Sequence, residues 1–158
     1  MVAKGDSAPD FTAKLAGDEP EEFTLSEQFG EAPLVLAFFP GAFTPPCTNE
    51  MVAFQDDLDA LHEAGASLYG ISADSPFSQA AFRDEHGLEF DLVSGMDRNA
   101  IDAYDVNLDI GDLGLQGAAE RAIFVINADG EITYSWVADD PTNEPDYDEV
   151  HEAAESAA

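Results

Sequence analysis

The chain has 158 residues, of which 34 are aspartate or glutamate and only 5 lysine or arginine, for a formal net charge of -29. That balance excludes nucleic acid and an anionic membrane surface as partners, because there is no basic patch to neutralise phosphates or lipid headgroups. Disorder is excluded too, since "LVLAFF" and "AIFVI" are core-grade apolar runs; the composition describes a folded protein built for concentrated salt, where a Debye length of roughly 3 Å at about 1 M quenches carboxylate repulsion.

The expectation is therefore a halophile's cytoplasmic protein. No stretch approaches the roughly 18 apolar residues of a membrane-spanning helix. No repeat, linker or shift in composition divides the chain, so residues 1–158 read as a single domain.

Strand-like pieces around Phe11 and Phe23 come first, followed by "LVLAFF" (34–39), continuously apolar as a central strand covered on both faces would be. From Pro46 the apolar residues Met51, Phe54, Leu58 and Leu61 recur at helical spacing, predicting an amphipathic helix that ends near Gly65. "SLYGIS" (67–72) is the next strand, and Ser75 and Pro76 supply an N-cap and a first-turn proline for a helix stopped by Gly87. "FDLVSG" (90–95) reads as a short strand, residues 97–106 as a short helix, and residues 107–120 as a glycine-punctuated loop. A hairpin follows: "AIFVI" (122–126), the turn "NADG", and "ITYSWV" (132–137), with Ile132, Tyr134 and Trp136 expected on one face. A helix from about Tyr147 closes an α/β pattern, which implies a mixed sheet with helices on both faces.

Chemistry concentrates at "PGAFTPPCTNE", which holds the only cysteine, Cys47. Pro46 suits the first helical position and pushes Pro45 out of helical geometry. Cys47 then lies in the first turn, near unpaired N–H groups and the positive end of the helix dipole, surroundings that favour a thiolate. Thr44 is either the N-cap or a hydroxyl held over the sulfur. On position alone an inert core cysteine is as good a reading as a reactive one. Arg121 adds weight: it stands directly before an apolar strand, where a charge needs a partner, with Glu50 and Glu120 available. A lone cysteine excludes an internal disulfide and any C-x-x-C motif. A cysteine hydrolase would need a histidine base, but His62 is about four turns from the sulfur on a 3.6-residue helical period, and His86 and His151 read as solvated. The three scattered histidines form no metal-site pattern.

The stretch from Pro40 to Cys47 has the P-x-x-x-T-x-x-C pattern of the peroxiredoxins, and "ERAIFVI" resembles the segment that carries their active-site arginine. The resemblance runs from "GDSAPDF" to "NEPDYDEV" and is to the branch of bacterioferritin-comigratory and related one-cysteine enzymes. It implies a thioredoxin-like fold with an N-terminal extension, no cofactor, and reduction of hydrogen peroxide or organic hydroperoxides. Cys47 would be the nucleophile that becomes a sulfenic acid, Thr44 would orient the peroxide, Pro40 would shield the pocket, and Arg121 would hold thiolate and peroxide. Glu50 would support the arginine, and Phe43 would lie where two subunits of a homodimer meet. Many members carry a resolving cysteine five residues after the first; Val52 stands there, so the chain resembles a one-cysteine enzyme needing an outside thiol, a thioredoxin-like protein or a small molecule. A peroxide sensor or a holdase-like assembly using the same cysteine is the alternative.

Overall fold

The computed structural model describes residues 2–158. Five strands come first, β1 (Thr12–Leu15), β2 (Glu22–Thr24), β3 (Leu34–Phe38), β4 (Ser67–Ser72) and β5 (Asp91–Ser94). Four more follow, β6 (Asn107–Ile110), β7 (Leu115–Ala119), β8 (Ala122–Ile126) and β9 (Ile132–Val137). The helices are α1 (Pro45–Asp56), α2 (Leu58–Glu63), α3 (Pro76–His86), α4 (Asn99–Ala103) and α5 (Tyr147–Ala157).

Seven strands form one mixed sheet in the order β2-β1-β5-β4-β3-β8-β9. The apolar run predicted as a central strand is β3, buried at every position. Leu34, Leu36 and Phe38 enter one core, and Val35 and Ala37 enter the other. Because both faces are covered, the strand cannot alternate apolar with polar residues. It pairs parallel with β4 and antiparallel with β8, where Phe38 lies opposite Ala122.

One core gathers Phe11, Phe23, Phe38, Tyr104 and Phe124 with α4 residues Ala100 and Ile101. The other lies under α1, α2, α3 and α5, through Met51, Phe54, Leu58, Leu61, Phe82 and Val150. Gly70 of β4 faces Leu92, Met51 and Phe39 of this second core. A Cβ there would lie 2.6 Å from Leu92 Cδ2 and 3.3 Å from the Met51 sulfur, so the missing side chain lets α1 approach the sheet.

The helix expected over residues 46–65 is interrupted at Asp57 and begins one residue earlier, with Pro45 and Pro46 in its first two positions. Neither position has an intrahelical partner for an N–H, so two prolines forfeit no hydrogen bond there. The helix over 97–106 is shorter, because Arg98 (φ 73) and Asp105 (φ 52) adopt left-handed conformations at its two ends. Residues 107–120 form a two-stranded hairpin instead of a loop. Gly111 to Leu113 make a single 3-10 turn closed by Gly114 at φ 68. Arg98 ties the hairpin down by donating to the Gly117 carbonyl and, at 2.6 Å, to Asn107 Oδ1. Ile132 does not share a face with Tyr134 and Trp136. A bulge at Thr133 sets Ile126 opposite Ile132 and Val125 opposite Tyr134, so Ile132 enters the first core while Tyr134 and Trp136 pack on the second.

Candidate active site

The loop from β3 to α1 carries Pro40, Phe43 and Thr44, and the first turn of α1 carries Cys47. Thr44 occupies the N-cap position, but its side chain caps nothing. The next two residues are prolines, and its hydroxyl instead donates to the Gly41 carbonyl at 2.9 Å. Its own carbonyl accepts from the Thr48 hydroxyl, also at 2.9 Å. Phe43 is half exposed at φ 69, with its ring edge-on to Phe82 at 5.2 Å.

Cys47 is 1% exposed. It lines a pocket of about 390 Å³ together with Pro40, Thr44, Pro45 and Arg121. The far wall is one that sequence reasoning missed: Ile110, Leu113 and Leu115 of the β6–β7 hairpin, with Pro141 and Thr142 from the loop after β9. Residues 107–120 read as a loop carry no visible site signal, and the Pro141 contribution is partly a backbone carbonyl.

Arg121 arrives from the residue before β8, the strand beside the one that leads to Cys47. Its buried guanidinium has three partners: Nε donates to the Pro141 carbonyl at 2.9 Å, Nη1 to Glu50 Oε1 at 2.8 Å, and Nη2 to Cys47 Sγ at 3.2 Å. Of the two carboxylates open to it, Arg121 thus pairs with Glu50, one turn along α1 from the sulfur. Glu120, on the other side of the peptide, leaves Oε2 buried without a hydrogen bond.

Burial pushes the Glu50 carboxyl up to about 7, against the opposing pull of Arg121. Burial works against the Arg121 charge, yet the carboxylate of Glu50 and the sulfur of Cys47 outweigh it and hold Arg121 above its ordinary value. The site is one cation between two acids, in a setting of low dielectric where the pairing is strong.

No histidine lines this pocket. His62 is exposed, His151 faces Glu155 at 3.2 Å, and His86, expected to be solvated, packs its ring on Phe82 at 5.0 Å. Val52, where a resolving cysteine would stand, is a half-buried residue of α1.

The AhpC/TSA family model matches residues 4–135. Peroxiredoxin Bcp of Bacillus subtilis is 32% identical over 137 residues, covering 84% of this chain and 83% of its own. Peroxiredoxin Bcp of Escherichia coli strain K12 is 33% identical over 134 residues, covering 82% of both. The crystal structure of peroxidoxin BcpB from Mycobacterium tuberculosis superposes with a TM-score of 0.86 at 26% identity, over 100% of this chain and 99% of the other. No helix among the described residues is long and apolar enough to cross a membrane. With a thioredoxin-like fold and these relatives over most of its length, the chain belongs to the AhpC/TSA family as a Bcp-type peroxiredoxin, an enzyme that reduces hydroperoxides with electrons from thiols.

Proposed function

We propose that Cys47 is the peroxidatic nucleophile of a one-cysteine cycle, with Arg121, Thr44 and Pro40 forming its reaction chamber. The observation that carries this reading is the bond from Arg121 Nη2 to Cys47 Sγ, two residues that line the same pocket. The thiolate attacks the distal oxygen of ROOH; the S–O bond forms as the O–O bond breaks, and the departing RO⁻ takes a proton to leave as ROH. Cys47 is then a sulfenic acid. One external thiol displaces its hydroxyl as water to give a mixed disulfide, and a second thiol releases the cysteine. The chain has no other sulfhydryl to do this.

Positioned donors matter more here than thiolate formation. For thiols in general, a pKa drop from about 8.5 to about 6 raises the thiolate fraction at pH 7 roughly 30-fold but lowers nucleophilicity roughly 10-fold. The net gain is a few-fold, so alignment of the O–O bond and stabilisation of the leaving oxygen must supply the rest. Each Nη of Arg121 has a second N–H to offer beyond its bond to Glu50 or Cys47, and the Thr44 hydroxyl would join it by turning from the Gly41 carbonyl to the peroxide; in this reading Glu50 holds the guanidinium and Pro40 walls out water.

Residues 1–158 work as one domain, in salt-rich cytoplasm where thiol electrons are available. The half-exposed Phe43 and the exposed Phe77 suit a homodimer contact beside the active-site loop.

The test is hydrogen peroxide turnover with excess dithiothreitol in about 2 M KCl, where surface repulsion is screened. Wild type turns over repeatedly and Cys47→Ser does not; a sensor would react only once. Arg121→Met and Thr44→Val each lose about 10²-fold with the fold retained, the scale of one transition-state donor. A fully active Arg121→Lys would overturn the role given to the guanidinium.

A further inference from the structure

The active-site loop is held by a residue far from the cysteine motif. Between β3 and α1 the chain must turn from the end of a central strand into the helix carrying Cys47, passing through Phe43 in a left-handed conformation (φ 69) that a side chain with a Cβ resists. Such a conformation persists only where its surroundings impose it. The anchor next to it is the Ala42 N–H, which donates to Asp74 Oδ2 at 2.8 Å.

Asp74 is itself fixed from both ends. Ser72 Oγ donates to the same Oδ2 at 2.6 Å, and Ser94 Oγ donates to the Asp74 carbonyl at 2.7 Å. Behind Ser72 stands Gln79, fully buried, whose Nε2 donates to Ser72 Oγ and to the Val93 carbonyl, both at 2.9 Å. Donor directions are consistent along the chain: Gln79 to Ser72, Ser72 to Asp74, with the Ala42 amide arriving at the same oxygen. The network connects α3, β4 and β5 to one backbone amide of the active-site loop.

We propose that Asp74 is a positioning residue for peroxide reduction, holding residues 40–44 in the form that sets Pro40 and Thr44 around the pocket over Cys47. This rests on the reading of Cys47 as the nucleophile. Asp74 lines no part of the pocket and acts only through the loop. A loop free to relax would leave the sulfur in place on α1 while misplacing the groups that orient the peroxide, and small misplacements are costly to reactions that depend on alignment.

The reactivity of Cys47 toward two reagents separates this role from a merely structural one. In Asp74→Ala the second-order rate with hydrogen peroxide falls about tenfold, as expected for lost alignment, while alkylation of Cys47 by iodoacetamide is unchanged or faster. Asp74→Asn keeps an oxygen that can accept from both Ala42 and Ser72, and it restores most of the peroxide rate. In the wild-type protein the Ala42 amide is protected from hydrogen exchange, a measurement that needs no variant to fold. An unprotected Ala42 amide, unchanged peroxide rates in Asp74→Ala, or equal losses in both reactions without rescue by Asn would overturn the assignment. Peroxidase activity surviving in Cys47→Ser would overturn the nucleophile reading instead; an inactive Cys47→Ser beside a fully active Asp74→Ala would overturn the Asp74 role alone.

Discussion

Arg121 distributes its donors among a carbonyl, a carboxylate and a sulfur, and the first two fix the plane in which the third points. Lysine has no such fork. The carboxylate partner has a pH signature of its own. Burial raises Glu50 from its ordinary 4.5 to about 7, so between these values the folded chain keeps a proton that the unfolded chain has lost. This carboxyl therefore favours the fold at low pH, and its contribution is lost as pH rises from about 4.5 through about 7. Against Glu50→Gln, which does not titrate, wild type should lose up to about 3 kcal/mol across that window, at about 1.4 kcal/mol per unit. Denaturant melts of both proteins at pH 4.5 and pH 8 measure it; parallel trends would show that Glu50 does not titrate there. At this scale Cys47 was legible as the one sulfur at a helix start, and Arg121 because a cation before an apolar strand needs a partner; the sequence left Glu50 and Glu120 open as that partner and left Thr44 open between cap and pocket. Pro141 was not legible, since any residue offers a carbonyl.

The β6–β7 hairpin gives the pocket its apolar wall. A molecule the size of water needs only about 10–15 Å³ of such space, so hydrogen peroxide would leave most of the pocket of about 390 Å³ empty, and the expectation is that the alkyl part of an organic hydroperoxide occupies the remainder. Leu113, 70% exposed on the 3-10 turn, is the wall residue to change. Leu113→Ser should lower kcat/KM for cumene hydroperoxide relative to hydrogen peroxide by about fivefold or more, in line with the loss of one apolar contact. An equal effect on both peroxides would mean the wall does not touch substrate. The hairpin was hidden because its glycines read locally as a loop, whereas its tie, Arg98, lies outside the segment. The helix over 76–86 was legible at both ends for the opposite reason: Ser75 Oγ accepts from the Ser78 N–H, and Gly87 takes the left-handed C-cap. Nothing local marks the break at Asp57, which has neither proline nor glycine and keeps the apolar spacing across it.

For the whole molecule, the formal charge of -29 is a property of the surface. Glu50 is the one acidic residue buried as a whole among the described residues, and Arg121, its partner, is one of only 5 cations. Most of the other acidic side chains face water and repel their neighbours over roughly 10 Å at about 0.1 M salt. Dilution from molar KCl to about 0.1 M should lower the melting temperature by more than about 10 °C; a thermal scan unchanged by salt would remove the case for adaptation to brine. The sheet carries a last consequence. Phe38 lies opposite Ala122, so the β3 end that leads to the cysteine and the β8 start that follows the arginine meet only when two segments far apart in the chain have zipped in register. A slip of one residue would turn every β8 side chain to the wrong face. A chain caught partway through assembly, or paired out of step, carries a sulfhydryl but no peroxidase, which makes turnover itself a certificate that the centre of the sheet has closed.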